Sequence, residues 1–339
     1  MRNFFWVADD LVDSPFGTAP LAPMYVEWSA PAEPTRPVPV VLVHGGGGQG
    51  TDWLGTPDGR PGWAGLLLDA GWTVYVVDRP GHGRSPRLPA LEGPPPPAPT
   101  REMIAGIFAP GTDERHTQWP GRGGSDDPAI TQLTASAAPF PPDLAAAQEL
   151  EAARLAALLD RIGPAVVVTH SLGAPACWLA ADRRPGQVVA MIAVEPAGPP
   201  FLSLPNLGIS LDWGLTSAAL TYHPPVAQPA ELDLEIPRAL PHLSGFPIAV
   251  LETEASPMGA GAGAVVAFLR NAGADAHHLR LVDLGIHGNG HGVIFERNND
   301  LVLDAVLGWL ASALSAAPDT RAGHSQGQSA PDRPPLDRY

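Results

Sequence analysis

Cysteine is nearly absent: Cys177 stands alone among 339 residues, which rules out an internal disulfide and any cysteine-rich metal cage. Charge is sparse as well. Charged residues make up 16% of the chain, and 35 acids against 20 bases leave a formal charge of -15 at pH 7, with no basic cluster to follow a phosphate backbone. Nucleic acid is therefore not an expected partner. No run approaches the ~20 apolar residues that span a bilayer, and the apolar start from Phe4 to Ala8 meets Asp9 and Asp10 too soon for a signal-peptide core. A cytoplasmic protein without a membrane span is the expectation, unless a targeting segment has been removed.

Glycine and proline, by contrast, are abundant, at 37 and 41 residues. That usage predicts long ordered loops or insertions between regular elements. A hydrophobic content of 45% over this length supports a substantial core.

Three short β-branched runs end abruptly in polar or glycine-rich sequence: Val40 to Val43 before His44, Thr73 to Val77 before Asp78, and Ala165 to Val168 before Thr169-His170-Ser171. Such continuous runs read as strands buried on both faces, and the helix-like sequence between them predicts parallel strands with crossover helices. Further strands are expected at Val188 to Val194, Phe246 to Leu251 and His278 to Leu284, with Phe4 to Ala8 and Met24 to Trp28 as the first two. The strongest helix runs from Asp143, its cap, to Ile162, where Gly163-Pro164 stops it. Others lie near Leu172 to Arg184 and Met258 to Asn271, and a last one begins near Asp300 with Leu303, Val306, Leu307, Leu310 and Leu314 on one stripe. The order gives an α/β domain over residues 1–314 with a sheet of about eight strands. Two excursions, 86–142 and 197–244, interrupt it in the manner of lids. Residues 315–339 carry too little apolar surface to fold and are expected to form a disordered tail.

The run Ala165 to Val168, then Thr169-His170-Ser171-Leu172-Gly173, then helix-compatible sequence, has the form of a nucleophile elbow. Its sharp turn lifts the Ser171 hydroxyl above the sheet and leaves the Leu172 amide facing a developing oxyanion. Taken alone, Ser171 reads more readily as a helix cap. His44-Gly45-Gly46-Gly47-Gly48 follows the first strong strand, and a loop without Cβ atoms lets backbone amides approach a carbonyl oxygen. Gly46 is the expected second oxyanion donor and Gly47 a substrate contact. Near the other end, Gly285-Ile286-His287-Gly288-Asn289-Gly290-His291-Gly292 can carry a histidine back toward Ser171.

With the turn Asp78-Arg79-Pro80-Gly81-His82-Gly83-Arg84-Ser85, these motifs in this order resemble the α/β-hydrolase fold superfamily over roughly residues 38–314. The resemblance implies a mostly parallel sheet flanked by helices, and a serine hydrolase acting on carboxylic esters, lactones or related acyl bonds without a cofactor. One departure is Thr169, where the elbow usually has glycine; its β-branched side chain predicts a more open turn.

Two histidines compete for the role of base. The four-residue spacing of His287 and His291 would suit a metal if both lay on a helix, but the surrounding glycines argue against one, so no metal is expected. His291, deeper in the loop and just before Val293-Ile294-Phe295, is the preferred base. For the acid, many relatives point to the stretch after the seventh strand, Glu252 and Glu254, while Asp283 reads as structural. A bacterial esterase branch places a Glu after the sixth strand, where Glu195 ends a buried run. A carboxylate there needs a partner such as an imidazole N–H. The stretches Gly288-Asn289-Gly290-His291 and His116 to Gly121 also resemble that branch, and Glu195 is preferred. Trp119, with Ile107 and Phe108, is expected either to line a substrate pocket or to form the small core of a lid.

Gly45-x-Gly47-x-x-Gly50 also matches a dinucleotide fingerprint, which leaves an NAD(P)-dependent oxidoreductase as an alternative, although helix-poor sequence follows Gly50. A non-catalytic binding protein on the same scaffold is a third reading. The expected ligand is a small ester or lactone, and a homodimer is among the assemblies the sequence allows.

Overall fold

The computed structural model describes residues 1–8, 10–85, 91, 97–233, 236 and 238–316. Residues 93–96 of the proline-rich stretch and 317–339 of the expected tail lie outside them. Eight strands form one sheet: β1 (Arg2–Val7), β2 (Met24–Ser29), β3 (Val40–Val43), β4 (Val74–Asp78), β5 (Ala165–His170), β6 (Val188–Val194), β7 (Pro247–Glu252) and β8 (Asp275–Arg280). Their spatial order is β1-β2-β4-β3-β5-β6-β7-β8. β2 pairs antiparallel with both β1 and β4, and every other pairing is parallel, so β2 alone runs against the rest.

The central strands are buried on both faces, as their continuous apolar runs require. Val41 and Val43 point into one core and Val40 and Leu42 into the other, and the same alternation divides Val167 from Val166 and Val168. Among the described residues, seven helices are of seven residues or more: α1 (Trp63–Asp69), α2 (Arg101–Phe108), α3 (Pro128–Ser136), α4 (Leu144–Ile162), α5 (Ala174–Arg183), α6 (Ala262–Asn271) and α7 (Asn299–Ala316). Helices α4, α5 and α6 cover the first core, and α1 and α7 cover the second. Asp143 caps α4 through the Ala146 amide, 2.9 Å away.

Two expectations need correction. The last strand is Asp275–Arg280 rather than His278 to Leu284, because it pairs with β7 from Pro247↔Asp275 to Glu252↔Arg280 and has no partner beyond. Leu281–Leu284 winds instead into a short 3-10 turn that buries Leu281 and exposes Leu284, and Asp283 belongs to that turn, paired with Arg280. The first excursion, which lacks apolar periodicity in the sequence, nonetheless holds α2 and α3, capped by Thr100 and Asp127. The second is mostly irregular, with a two-residue ladder of Ser203–Leu204 against Ile209–Ser210.

Three histidines at the carboxyl ends of the strands are buried. Burial, reinforced by Arg79, holds His44 well below the ordinary imidazole range and pushes His82 down to about 3. Burial, reinforced by His291, pushes His170 to about 3. A histidine whose folded pKa lies below its unfolded value takes up a proton on unfolding. Its contribution to stability is therefore complete above the unfolded pKa of ~6.5 and is lost as the pH falls toward the folded value. We expect the unfolding free energy from urea titrations to drop below pH ~6.5 by up to about 1.4 kcal/mol per histidine per pH unit. His82→Asn should flatten that slope by about one proton, and an identical slope in wild type and variant would contradict the assignment.

Candidate active site

Strand register decides what meets at the carboxyl edge of the sheet. His170 pairs with Val194, so the next residues, Ser171 and Glu195, leave neighbouring strands side by side. Both turn sharply there, with positive φ angles of 50° and 47°, a conformation that side-chain-bearing residues adopt only where the surroundings enforce it. Strand β5 feeds through the 3-10 turn Ser171–Gly173 into α5. A Cβ at Gly173 would collide with the His44 carbonyl and lie 2.8 Å from Thr169 Oγ1. Glycine at 173 thus makes the room that Thr169 takes up within the elbow.

The glycine-rich loop after β8 brings His291 over Ser171. Its Nε2 lies 3.0 Å from Ser171 Oγ and its Nδ1 lies 3.4 Å from Glu195 Oε2. Glu195 and His291 are both buried, and Glu195 Oε1 accepts the Thr253 amide at 2.7 Å. The His170 Nε2–H donates to the His291 carbonyl at 2.9 Å, and the Phe108 ring stacks on the His291 imidazole at 5.5 Å. The hydroxyl, the imidazole and the carboxylate expected from the sequence therefore form one continuous chain of contacts.

The competing residues have other partners. Glu254 accepts the Gly288 amide at 3.0 Å and pairs with His287 at 3.3 Å. Glu252 pairs with His278 and Arg280 at the sheet edge. His287 and His291 thus engage different carboxylates, and among the described residues no three His, Cys, Asp or Glu side chains converge as ligands to one metal would. Cys177 is buried, and burial pushes its thiol up to about 12, far from the ionised form a nucleophile needs.

The loop after β3 closes a turn in which the Gly48 amide donates to the Gly45 carbonyl at 3.3 Å, with Gly47 at φ 69°. A Cβ at Gly46 would stand 3.0 Å from the Leu172 Cβ, so the two backbones lie against each other. Neither the Gly46 nor the Leu172 amide is taken by another hydrogen bond among the described residues. The loop is held from below by Arg79, whose guanidinium donates to the Gly45 carbonyl at 2.7 Å and to the buried Glu151 at 2.8 Å. His44 accepts the Arg79 amide on Nε2 and donates from Nδ1 to the Gly45 carbonyl. After Gly50 only one helical turn forms, Thr51–Leu54, and the Gly50 amide is spent on Asp78, so the dinucleotide fingerprint lacks its helix.

A cavity of about 100 Å³ opens beside Ser171, lined by Gly45 to Gly48 and by apolar side chains of both excursions, among them Ile107, Phe108, Leu202 and Ile209. Gly47 belongs to this wall. Trp119 does not: it is buried, donates to Asp127 at 2.9 Å and packs against Phe295, so its role is the core of the first excursion.

The sequence reading missed Glu296. This acid is wholly buried and accepts the His116 Nε2–H at 2.6 Å, the Gly290 amide at 3.0 Å and the Asn289 side chain at 2.8 Å. It fixes the loop that carries His291 and ties it to the first excursion. The available signal was the one that picked out Glu195, an acid directly after an apolar run, here Val293-Ile294-Phe295. Glu296→Ala leaves several buried donors unpaired and should cost on the order of 3 kcal/mol in urea unfolding. A loss below about 1 kcal/mol, the level of a single hydrogen bond, would show that the network is not the loop's anchor.

No helix of the described residues is long and apolar enough to cross a membrane. Comparison with known proteins agrees with the geometry. A probable secreted lipase, phiG, from a fungal species (Fungal sp., strain ATCC 74256) is 36% identical in an alignment 323 positions long that covers 85% of this chain and 85% of that protein. The solved structure of a bacterial esterase superposes with a TM-score of 0.69 at 24% identity, covering 93% of this chain and 96% of that one. Residues 38–220 match the family defined by the alpha/beta hydrolase fold. With the strand order, the elbow at Ser171 and these matches, the chain belongs to the α/β-hydrolase fold family.

Proposed function

We propose that this protein hydrolyses carboxylic esters through a Ser171-His291-Glu195 triad and an acyl-enzyme intermediate. The observation that carries the reading is the contact chain itself, in which Ser171 Oγ, both imidazole nitrogens and the Glu195 carboxylate stand in line at 3.0 and 3.4 Å. The fungal relative's name, a lipase, accords with an ester substrate. That name also describes a secreted protein, so the cytoplasmic expectation is not carried into the proposal.

In this mechanism the Ser171 hydroxyl donates its proton to His291 Nε2 as the oxygen attacks the acyl carbon. Glu195 accepts the Nδ1–H, which fixes the tautomer and stabilises the imidazolium. The Gly46 and Leu172 amides hold the oxyanion, each donor worth about 3 kcal/mol in comparable sites. His291 then protonates the leaving alcohol, and water attacks the acyl-enzyme by the reverse route. A lactone presents the same acyl–oxygen bond closed in a ring and falls within the proposal, its leaving hydroxyl staying attached to the product. The excursions act as lids whose apolar side chains receive the substrate.

Purified protein assayed with p-nitrophenyl acetate and butyrate should turn over, and an organophosphonate probe should label Ser171. Ser171→Ala is expected to lose roughly 10⁶ in turnover if the triad acts as a unit. Absence of both turnover and label in the wild type defeats the proposal. Glu195→Gln should lower kcat by roughly 10⁴, as when a triad acid no longer sets the tautomer, while Glu254→Gln stays within about threefold of wild type, as expected of a partly exposed pair. The acid assignment fails if the Glu254 variant is the one that loses activity.

A further inference from the structure

One acid of the pocket has no part in this mechanism. Asp52 lines the cavity at the far side of the glycine turn, among walls that are otherwise largely apolar. Its Oδ2 lies so close over Gly48 that a Cβ at that position would collide with it, and glycine at 48 is what admits the carboxyl. Among the described residues its carboxyl takes a single hydrogen bond, from the Gln49 amide to Oδ2 at 3.3 Å, which leaves Oδ1 unpaired. Burial pushes the carboxyl up to about 7, against the opposing pull of that amide. Near neutral pH the group is present both as acid and as carboxylate.

Asp52 and Ser171 line the same cavity, joined by the glycine turn: a Cβ at Gly45 would stand 3.2 Å from the Ser171 Cβ, and one at Gly48 would run into Asp52 Oδ2. A substrate with its scissile carbonyl at Ser171 can carry a polar group along this wall to Asp52. A plain hydrocarbon chain would leave Oδ1 desolvated and unpaired, at a cost in binding. A hydroxyl suits both protonation states, because it donates to a carboxylate and accepts from an acid. Ser136, the other polar side chain of the wall outside the triad's surroundings, already donates its hydroxyl to the Leu133 carbonyl at 3.0 Å.

We propose that Asp52 is a specificity-determining residue that binds a hydroxyl carried by the substrate within this cavity, so that hydroxylated esters are preferred over unsubstituted ones. The inference rests on the reading above, that Ser171 attacks an ester bound in this cavity.

The test compares kcat/KM for ethyl butyrate with its β-hydroxy counterpart, and for ethyl hexanoate with its ω-hydroxy counterpart, by pH-stat titration of the acid released. Wild type should favour at least one hydroxy ester by roughly tenfold, the discrimination of one hydrogen bond. Asp52→Leu should abolish or reverse that ratio, and Asp52→Asn, which keeps polar atoms there, should retain part of it. Organophosphonate labelling of Ser171 in both variants checks that the site is folded. A role confined to bracing the Gln49 loop would lower both esters of a pair alike and leave their ratio unchanged in Asp52→Leu; that result overturns the proposal. So does a wild type without preference for either hydroxy ester while the plain esters are hydrolysed, and in that case the hydrolase reading stands. A wild type that cleaves none of the four and takes no label defeats both.

Discussion

The structure depends on strand register more than on any single contact. Val43 stands beside both Val77 and Thr169, His170 beside Val194, and Val194 beside Leu251. The residues that follow, His44, Asp78, Ser171, Glu195 and Glu252, therefore leave the sheet along one edge although more than two hundred positions separate the first from the last. A shift of one residue in any of these pairings would turn every side chain of that strand to the opposite face. The two hydrophobic cores forbid such a slip, since both faces of the central strands are filled. Packing energy is in this way converted into the relative position of polar groups that contribute little to packing themselves.

Those polar groups are buried at a cost, and the fold meets it with connected networks rather than isolated pairs. Arg79 spans the interior between Glu151 on α4 and the carbonyl of Gly45, with His44 locked in one tautomer beside it. Asp78 takes the Gly50 amide together with the Arg84 backbone and guanidinium. Glu296 does the same for the loop of His291. Each network joins a loop at this edge to another element, which is how glycine-rich segments with little intrinsic stiffness hold a defined shape.

The central sheet was legible because its strands are short β-branched runs that end in glycine, histidine or acid, and such runs have few other uses. The edge strand β8 was misplaced because Asp275, His277 and His278 give it a polar, half-solvated pattern that periodicity does not separate from a loop. Helices α2 and α3 were missed for a related reason: both are short, and their apolar residues are shared between the pocket wall and the second core. At the site, Ser171 and Glu195 stood out because each directly follows a buried strand, and His291 because a glycine-rich loop carries it. Trp119 could not be assigned, since an aromatic side chain in an insertion looks the same whether it faces a ligand or Asp127. Glu296 escaped because its partner His116 is remote in sequence and only folding brings the two together.

The bond between His116 and Glu296 has a mechanical consequence. The backbone around it is tied twice more, by the Gln118 amide to the Gly288 carbonyl and by the Arg297 amide to the Gln118 carbonyl. The first excursion is thus riveted near its midpoint to the loop that carries His291, and Phe108 at the end of α2 lies against the same imidazole. Under the proposed mechanism, a displacement of this excursion would carry His291 with it, so the wall that receives a substrate and the group that would activate Ser171 share one joint.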